Sequence, residues 1–309
     1  MRRVGDLAIS GEGKVAQDVK RATAGVLELP RVAVIGAGTL GWQIAAMTAA
    51  SGRQVTLFDM DPAAPARALD LLRRTLTPVV ASGTLDWDLD AVIDRVEEGT
   101  NLASSVAAAD LVIEAVREDL ATKRMLFAEL SELVPAAILA TNSSSLPSAL
   151  LADVVSRPER LLNLHFFDIF WRRAMVEIMS CGATSAEVLA TMERFGESLG
   201  LLTAMVRGQS KGFIINRVWR AVKREALRVV DEGHASPADV DQLWMRFFAT
   251  DIGPFGIMDR IGLDVIADIE ASYTAVATDP TDRSSPTLLK LVGEGKLGIK
   301  TEEGFYKYE

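Results

Sequence analysis

An α/β fold is what this sequence predicts: an N-terminal Rossmann-like domain with a doubly wound, mostly parallel sheet, then an all-α C-terminal domain. Three observations carry that expectation. Strand-like apolar runs alternate with helix-patterned segments between residues 31 and 206, the pattern of repeated strand–helix–strand units. A glycine turn, GAGTLG at 36–41, joins the first run to the first helix. Beyond a small polar stretch at 207–211, the patterned segments read as helix. The chain is therefore expected to divide into an arm at 1–29, a dinucleotide-binding domain at 30–208 and a helical domain at 209–309.

The first unit sets the argument. Residues 32–35 form a short β-branched run, the glycine turn follows, and a helix ends at Ser51-Gly52. A second apolar run at 55–58 closes on Asp59. Strand, glycine turn, helix, strand and acid in that order make the full context of a dinucleotide-binding fingerprint. Gly36 permits the tight turn, Gly38 lets the backbone approach a pyrophosphate, and Gly41 lets the helix pack against the sheet. Thr39 and Leu40 open the helix, where free N–H groups and the positive dipole end meet phosphates. Asp59 is placed to accept hydrogen bonds from the adenosine ribose. With Asp61 it would repel a 2′-phosphate, by about 4 kcal/mol for charges ~4 Å apart at an effective dielectric of roughly 20. The expected cofactor is NAD rather than NADP.

The alternation then continues. Residues 65–80 read as helix and carry Arg67, Arg73 and Arg74, either a solvated face or a contact for a substrate's phosphates. A second helix is expected at 89–95, a buried strand in LVIEAV, a helix at 118–133 and a strand at 137–141. That last strand runs into the polar turn Asn142-Ser143-Ser144-Ser145. Ligands of such sheets bind beyond the carboxyl ends of the strands, so the loops at 116–119 and 142–145 belong near the cofactor. Runs at 161–167 and 174–179, a helix at 185–199 and a strand at 201–206 complete the domain. Helices are expected at 213–232, 237–246, 254–261 and 264–277, with Gly233 as a C-cap and Ser236-Pro237 opening the next helix. The arm holds one short helix around 15–24.

Composition bounds the rest. A net charge of −9 argues against nucleic acid or an anionic membrane as the main partner. The single cysteine, Cys181, cannot form an intrachain disulfide and reads as a small buried residue rather than a reactive thiol. Two histidines, His165 and His234, exclude a His/Cys-rich metal site. The N-terminal stretch lacks the apolar region of a signal peptide, and no apolar run is long enough for a membrane span. A cytoplasmic protein with no membrane partner is expected.

His165 in LLNLHFF and Glu177 in RAMVEIM each sit in an apolar run. A buried acid needs a partner, and a histidine supplies one. If the two runs pair through the intervening turn, Glu177 accepts from one ring nitrogen and leaves the other free as a general base. Alone, a histidine in an apolar run such as that of His165 is more often a core residue bonded to a carbonyl. Asn142 to Ser145 could be only a turn, and Asn216 in KGFIINRV only a helix-start residue, although an amide there is expected to face a cleft between domains.

The motifs VIGAGTLG, ADLVIEAVRE, ATNSSSL, LLNLHFF with Glu177, KGFIINR, DIGPFGIMDRIGLD and LGIKTEEGFYKY occur in order from about Arg31 to Tyr308. In them the chain resembles the L-3-hydroxyacyl-CoA dehydrogenase family. The resemblance implies His165 as base, Glu177 as its orienting partner, and Ser144 and Asn216 on the substrate oxygen. It also implies Glu118 and Lys123 near the nicotinamide ribose of NAD, a dimer through the helical domain, and a thioester-linked hydroxyacyl substrate. Asn142, in the loop after its strand, is expected among the cofactor-binding residues. One stretch departs: after His-Phe-Phe the family usually continues Asn-Pro, where this chain has Asp168-Ile169-Phe170-Trp171-Arg172-Arg173. The extra acid and two arginines change the local field and pocket wall, which opens the same chemistry to a carrier-protein-bound hydroxyacyl group or a free sugar acid, as in the gulonate dehydrogenase branch. A non-catalytic nucleotide-binding protein, like the related lens crystallins, is the alternative of another class.

Overall fold

The computed structural model describes residues 28–275, 277 and 282–308. The helix expected around 15–24 lies outside them. The chain divides into two compact units between Ile214 and Ile215.

The first unit is built on an eight-stranded sheet. The strands are β1 (Arg31–Ile35), β2 (Gln54–Phe58), β3 (Val96–Glu98), β4 (Leu111–Glu114), β5 (Ile138–Thr141), β6 (Leu161–Phe166), β7 (Met175–Ser180) and β8 (Leu202–Val206). Their order is β3-β2-β1-β4-β5-β6-β7-β8, so the winding reverses between β1 and β4. Neighbours run parallel except β6 and β7, which form an antiparallel hairpin. The doubly wound, mostly parallel sheet is the expected one. The helices are α1 (Gly41–Ala50), α2 (Ala64–Ala81), α3 (Leu89–Ile93), α4 (Leu102–Val106), α5 (Leu120–Leu133) and α6 (Ala186–Ser198).

Short apolar strands become central here because both sheet faces are covered. Along β1, Val32 and Val34 pack into the cluster under α1, α2 and α6, with Leu72 and Phe195. Ala33 and Ile35 point the other way, to Phe127 and Leu130 of α5. That is the two-residue strand period at work. The helix expected from residue 118 starts at Leu120, because the Asp119 carboxylate accepts the N–H of Thr122 at 2.8 Å and caps the first turn. Glu118 is thereby left in the loop.

The polar stretch at 208–212 and the residues just after it belong to this unit. Phe213 packs with Met179 and Val206, and the N–H of Ile214 donates to Glu177 Oε1 at 2.9 Å. The unit therefore runs on past the switch to helical patterning.

The second unit consists of α7 (Ile215–Asp231), α8 (Pro237–Phe248), α9 (Pro254–Ile261), α10 (Leu263–Thr274) and α11 (Pro286–Gly293). Two of the sequence motifs are explained by its interior. Asp259 of α9 accepts the N–H groups of Phe305 and Tyr306 and the Tyr308 hydroxyl, at 2.9, 3.0 and 2.8 Å. Asp241 accepts the N–H groups of Phe255 and Gly256 and the hydroxyl of Tyr306. Burial, followed by the Asp241 carboxylate, pushes the Tyr306 phenol above its ordinary value, so it stays a donor. DIGPFGIMDR and GFYKY are thus two halves of one scaffold. Among the described residues no helix is long and apolar enough to cross a membrane.

Candidate active site

The glycine loop distinguishes its three glycines. Gly36 has a φ of 108°, and a Cβ there would lie 2.6 Å from the Ala115 carbonyl oxygen. At Gly41 a Cβ would lie 1.8 Å from the Gly36 carbonyl oxygen, so this glycine serves the closure of loop on helix more than a contact with the sheet. Both are demanded by the protein's own packing. Gly38 is not: a Cβ there would meet nothing within 4 Å. It is exposed, at the winding reversal between β1 and β4, where a side chain would fill the space a pyrophosphate takes. The residues fit a dinucleotide.

Asp59, at the end of β2, ties itself to that loop. Its Oδ2 accepts from Ala37 N at 2.8 Å and its Oδ1 from Asp61 N at 3.0 Å. Asp61 is partnered by Arg67, which weakens its repulsion of a 2′-phosphate and leaves Asp59 as the main discriminator. Arg73 pairs with Asp90 and Arg74 with Asp70, so the arginines of α2 form the solvated face. Replacing Asp59 with alanine removes a charged acceptor worth about 1.5–3 kcal/mol. The KM for NAD should rise roughly 10- to 100-fold and the preference over NADP should narrow, which paired kinetics with the two cofactors will measure.

Beyond β4 and β5 a polar cluster closes on itself. Glu114, fully buried, accepts from Lys123 Nζ at 2.6 Å, Val116 N at 2.7 Å and Thr141 Oγ1 at 2.6 Å. Lys123, 1% exposed, also reaches Glu118 Oε2 at 3.3 Å. Glu118 Oε1 accepts from Ser143 Oγ, Ser145 N and Ser145 Oγ. Burial pushes the Glu118 carboxyl up, but those hydrogen bonds and the Lys123 charge outweigh it and hold the group below the usual carboxylate range. The Asn142 amide oxygen accepts from Phe166 N at 2.8 Å, joining β5 to β6. Ser144 is exposed at the turn's apex, and its hydroxyl has no partner among the described residues.

His165 and Glu177 face each other directly across the β6–β7 hairpin. His165 Nδ1 lies 3.0 Å from Glu177 Oε2, and each residue is 4% exposed. The imidazole lies between Phe167 and Phe213, with ring centroids at 4.5 and 4.8 Å. Its Nε2 has no protein partner among the described residues. In the neutral ring, a carboxylate at Nδ1 favours the tautomer with hydrogen on Nδ1 and a lone pair on Nε2. His165 is near the carboxyl end of β6, the sheet edge that also carries Gly36 and Ser144. Asn216 lies in the second unit, second residue of α7.

The departing turn is only partly what its charges suggest. Arg173 is neutralised by Asp168. Phe170 is buried and stacks on Trp87 at 5.3 Å, and Trp171 meets Trp42 at 6.5 Å. Arg172 alone is exposed without a side-chain partner among the described residues.

A glycine loop with one glycine kept for a ligand, an acid at the next strand end, and a histidine with a free lone pair on the same sheet edge define an NAD-dependent oxidoreductase. Comparison with known proteins places it further: the chain belongs to the 3-hydroxyacyl-CoA dehydrogenase family, matching that family's NAD-binding domain over residues 31–209 and its C-terminal domain over 212–308. It is 33% identical to a probable 3-hydroxybutyryl-CoA dehydrogenase of Bacillus subtilis, over 92% of this chain and 99% of that one. It is 32% identical to the mitochondrial hydroxyacyl-coenzyme A dehydrogenase of Homo sapiens, over 93% of this chain and 94% of that one. The crystal structure of the (S)-3-hydroxybutyryl-CoA dehydrogenase of Ralstonia eutropha superposes with a TM-score of 0.85 at 30% identity, over 91% of this chain and all of that one.

From sequence, Ser143 and Ser145 are reached only as members of the polar turn at 142–145, and Glu114 and Thr141 are not reached. For Glu114 a signal existed: an acid closing a buried strand needs a partner, the same argument that linked Glu177 to His165.

Proposed function

We propose that this enzyme interconverts a 3-hydroxyacyl thioester and its 3-keto form, with His165 as the general base. The reading rests on the buried His165–Glu177 pair, whose Nδ1 is committed to a carboxylate at 3.0 Å while Nε2 is not bonded to any described residue. His165 Nε2 takes the proton of the substrate's secondary alcohol. NAD, when bound, supplies the acceptor for the hydrogen lost from the same carbon. Glu177 stabilises the imidazolium that forms, and its second oxygen is steadied by Ile214 N. The Ser144 hydroxyl, exposed and without a partner among the described residues, donates to the substrate oxygen. A part for Asn216 on the same oxygen rests on its motif, KGFIINR, alone. In reverse, the same groups return the proton to a ketone.

The coenzyme A thioester is the first choice because relatives covering nearly the whole chain are named for it. Arg172 favours a second reading, a free hydroxy acid whose carboxylate meets a guanidinium that has no side-chain partner among the described residues. The exposed Leu243, Phe247 and Phe248 of α8 support a homodimer through the helical unit. Absorbance of NADH will be followed with 3-hydroxybutyryl-CoA, longer hydroxyacyl-CoAs, carrier-protein thioesters and free hydroxy acids. Turnover of the CoA thioesters with the highest kcat/KM is expected. Turnover confined to free acids would transfer the assignment to the second reading, and silence across the panel would remove both.

A further inference from the structure

We propose that Gln43 is a positioning residue that couples the seating of the cofactor to the orientation of the His165–Glu177 pair, an inference that rests on the assignment of His165 as the base. Gln43 is the third residue of α1 and 3% exposed. Its Nε2 donates to the Thr39 carbonyl at 2.8 Å, and its Oε1 accepts the N–H of Ile169 at 2.8 Å. The two partners settle which end of the amide is which, because a carbonyl only accepts and a backbone N–H only donates. Thr39 is in the glycine loop, and Ile169 is in the turn that joins β6 to β7. One buried side chain therefore bolts the pyrophosphate loop to the hairpin that carries both the histidine and its acid.

Ile169 needs that hold. It has a φ of 56°, a left-handed conformation that β-branched residues rarely adopt without outside support. The neighbouring residue of α1 grips the same turn, since Trp42 meets Trp171 at 6.5 Å. The first turn of α1 thus holds the hairpin at two adjacent points, and a shift of the glycine loop on binding a dinucleotide is carried to the strands that aim the imidazole.

Three variants test this, with melting temperature, kcat and KM for NAD measured together. Gln43→Leu cuts both bonds, and kcat should fall about tenfold while KM for NAD rises about tenfold, misplacement of reacting groups being costly at this scale. Gln43→Glu keeps the acceptor for Ile169 but turns an acceptor and a negative charge toward the Thr39 carbonyl and the phosphates. By like-charge repulsion it should raise KM for NAD about tenfold with kcat within about twofold of the wild type. Adding Ile169→Gly to Gln43→Leu should restore most of kcat, because glycine holds a left-handed turn unaided. If Gln43 merely packs, the variants melt earlier while kcat and KM at 25 °C stay at wild-type values, and the proposal falls. It falls equally if the double variant recovers no kcat. His165→Gln separates the two assignments: turnover retained there removes the base itself. An inactive His165→Gln beside a fully active Gln43→Leu removes only the clamp.

Discussion

His165→Gln should lower kcat roughly 100- to 10,000-fold while leaving NAD affinity within about twofold, because a positioned general base contributes a factor of that size. Glutamine approximates the size and polarity of imidazole but offers no basic lone pair. The loss should therefore appear in turnover and not in cofactor binding, which NADH fluorescence titration will read separately. Glu177→Gln is the sharper companion. Ile214 N donates to Oε1 of residue 177, so the oxygen of a glutamine is drawn to that side. Its NH2 then faces His165 Nδ1, where the carboxylate oxygen now lies at 3.0 Å. An N–H donor there makes Nδ1 the acceptor and moves the ring hydrogen to Nε2, the atom meant to take the proton. Isosteric as it is, this substitution should cost turnover on the scale of removing the base. Wild-type kcat in both variants would leave His165 a core residue.

How far this site could be read from the chain depends on how local each signal is. The fingerprint around Gly36 and Asp59 lies within one strand–helix–strand unit, so spacing alone exposes it. The pairing of His165 with Glu177 was accessible because burial of an acid creates a need, and the turn between the two runs is short. Its register, with the two directly opposed, required the hairpin itself. β3, three residues reading Val-Glu-Glu, has no periodicity to find and is a strand only because β2 offers it an edge. α4, five residues long, offers as little pattern, whereas α11 opens on Ser285-Pro286, the same cap-and-proline start that marks α8 at Ser236-Pro237, so its signal was present in the sequence. Glu118 illustrates a boundary error with functional weight: its helical pattern is continuous with α5, but the Asp119 cap excludes it and frees its carboxylate for Ser143 and Ser145. The partners of Gln43 lie beyond any local reading, since Ile169 is 126 residues away.

Lys123→Met should destabilise the enzyme by about 3–5 kcal/mol in denaturant unfolding, the scale set by stranding one member of a buried ion pair. The side chains of Lys123 and Glu114 are 1% and 0% exposed and stand 2.6 Å apart. Removing the lysine leaves a carboxylate in the sheet's interior with Thr141 Oγ1 and Val116 N as its remaining donors among the described residues and no counter-charge beside it. The reverse change, Glu114→Gln, should cost less. Its amide oxygen can still accept a hydrogen bond, and Lys123 retains Glu118 at 3.3 Å as a counter-charge. The ordering of the two variants is thus the informative result: a common electrostatic account of both sites requires Lys123→Met to be the more harmful. The same lysine helps hold Glu118, whose carboxylate receives the hydroxyls of Ser143 and Ser145 on either side of Ser144. Loss of Lys123 should consequently reach the substrate turn, lowering kcat even at temperatures where the variant remains folded. Equal stability of Lys123→Met and wild type would show that the ion pair is offset by its own desolvation, and that the loop after β5 is held by its serines without the charge beneath them.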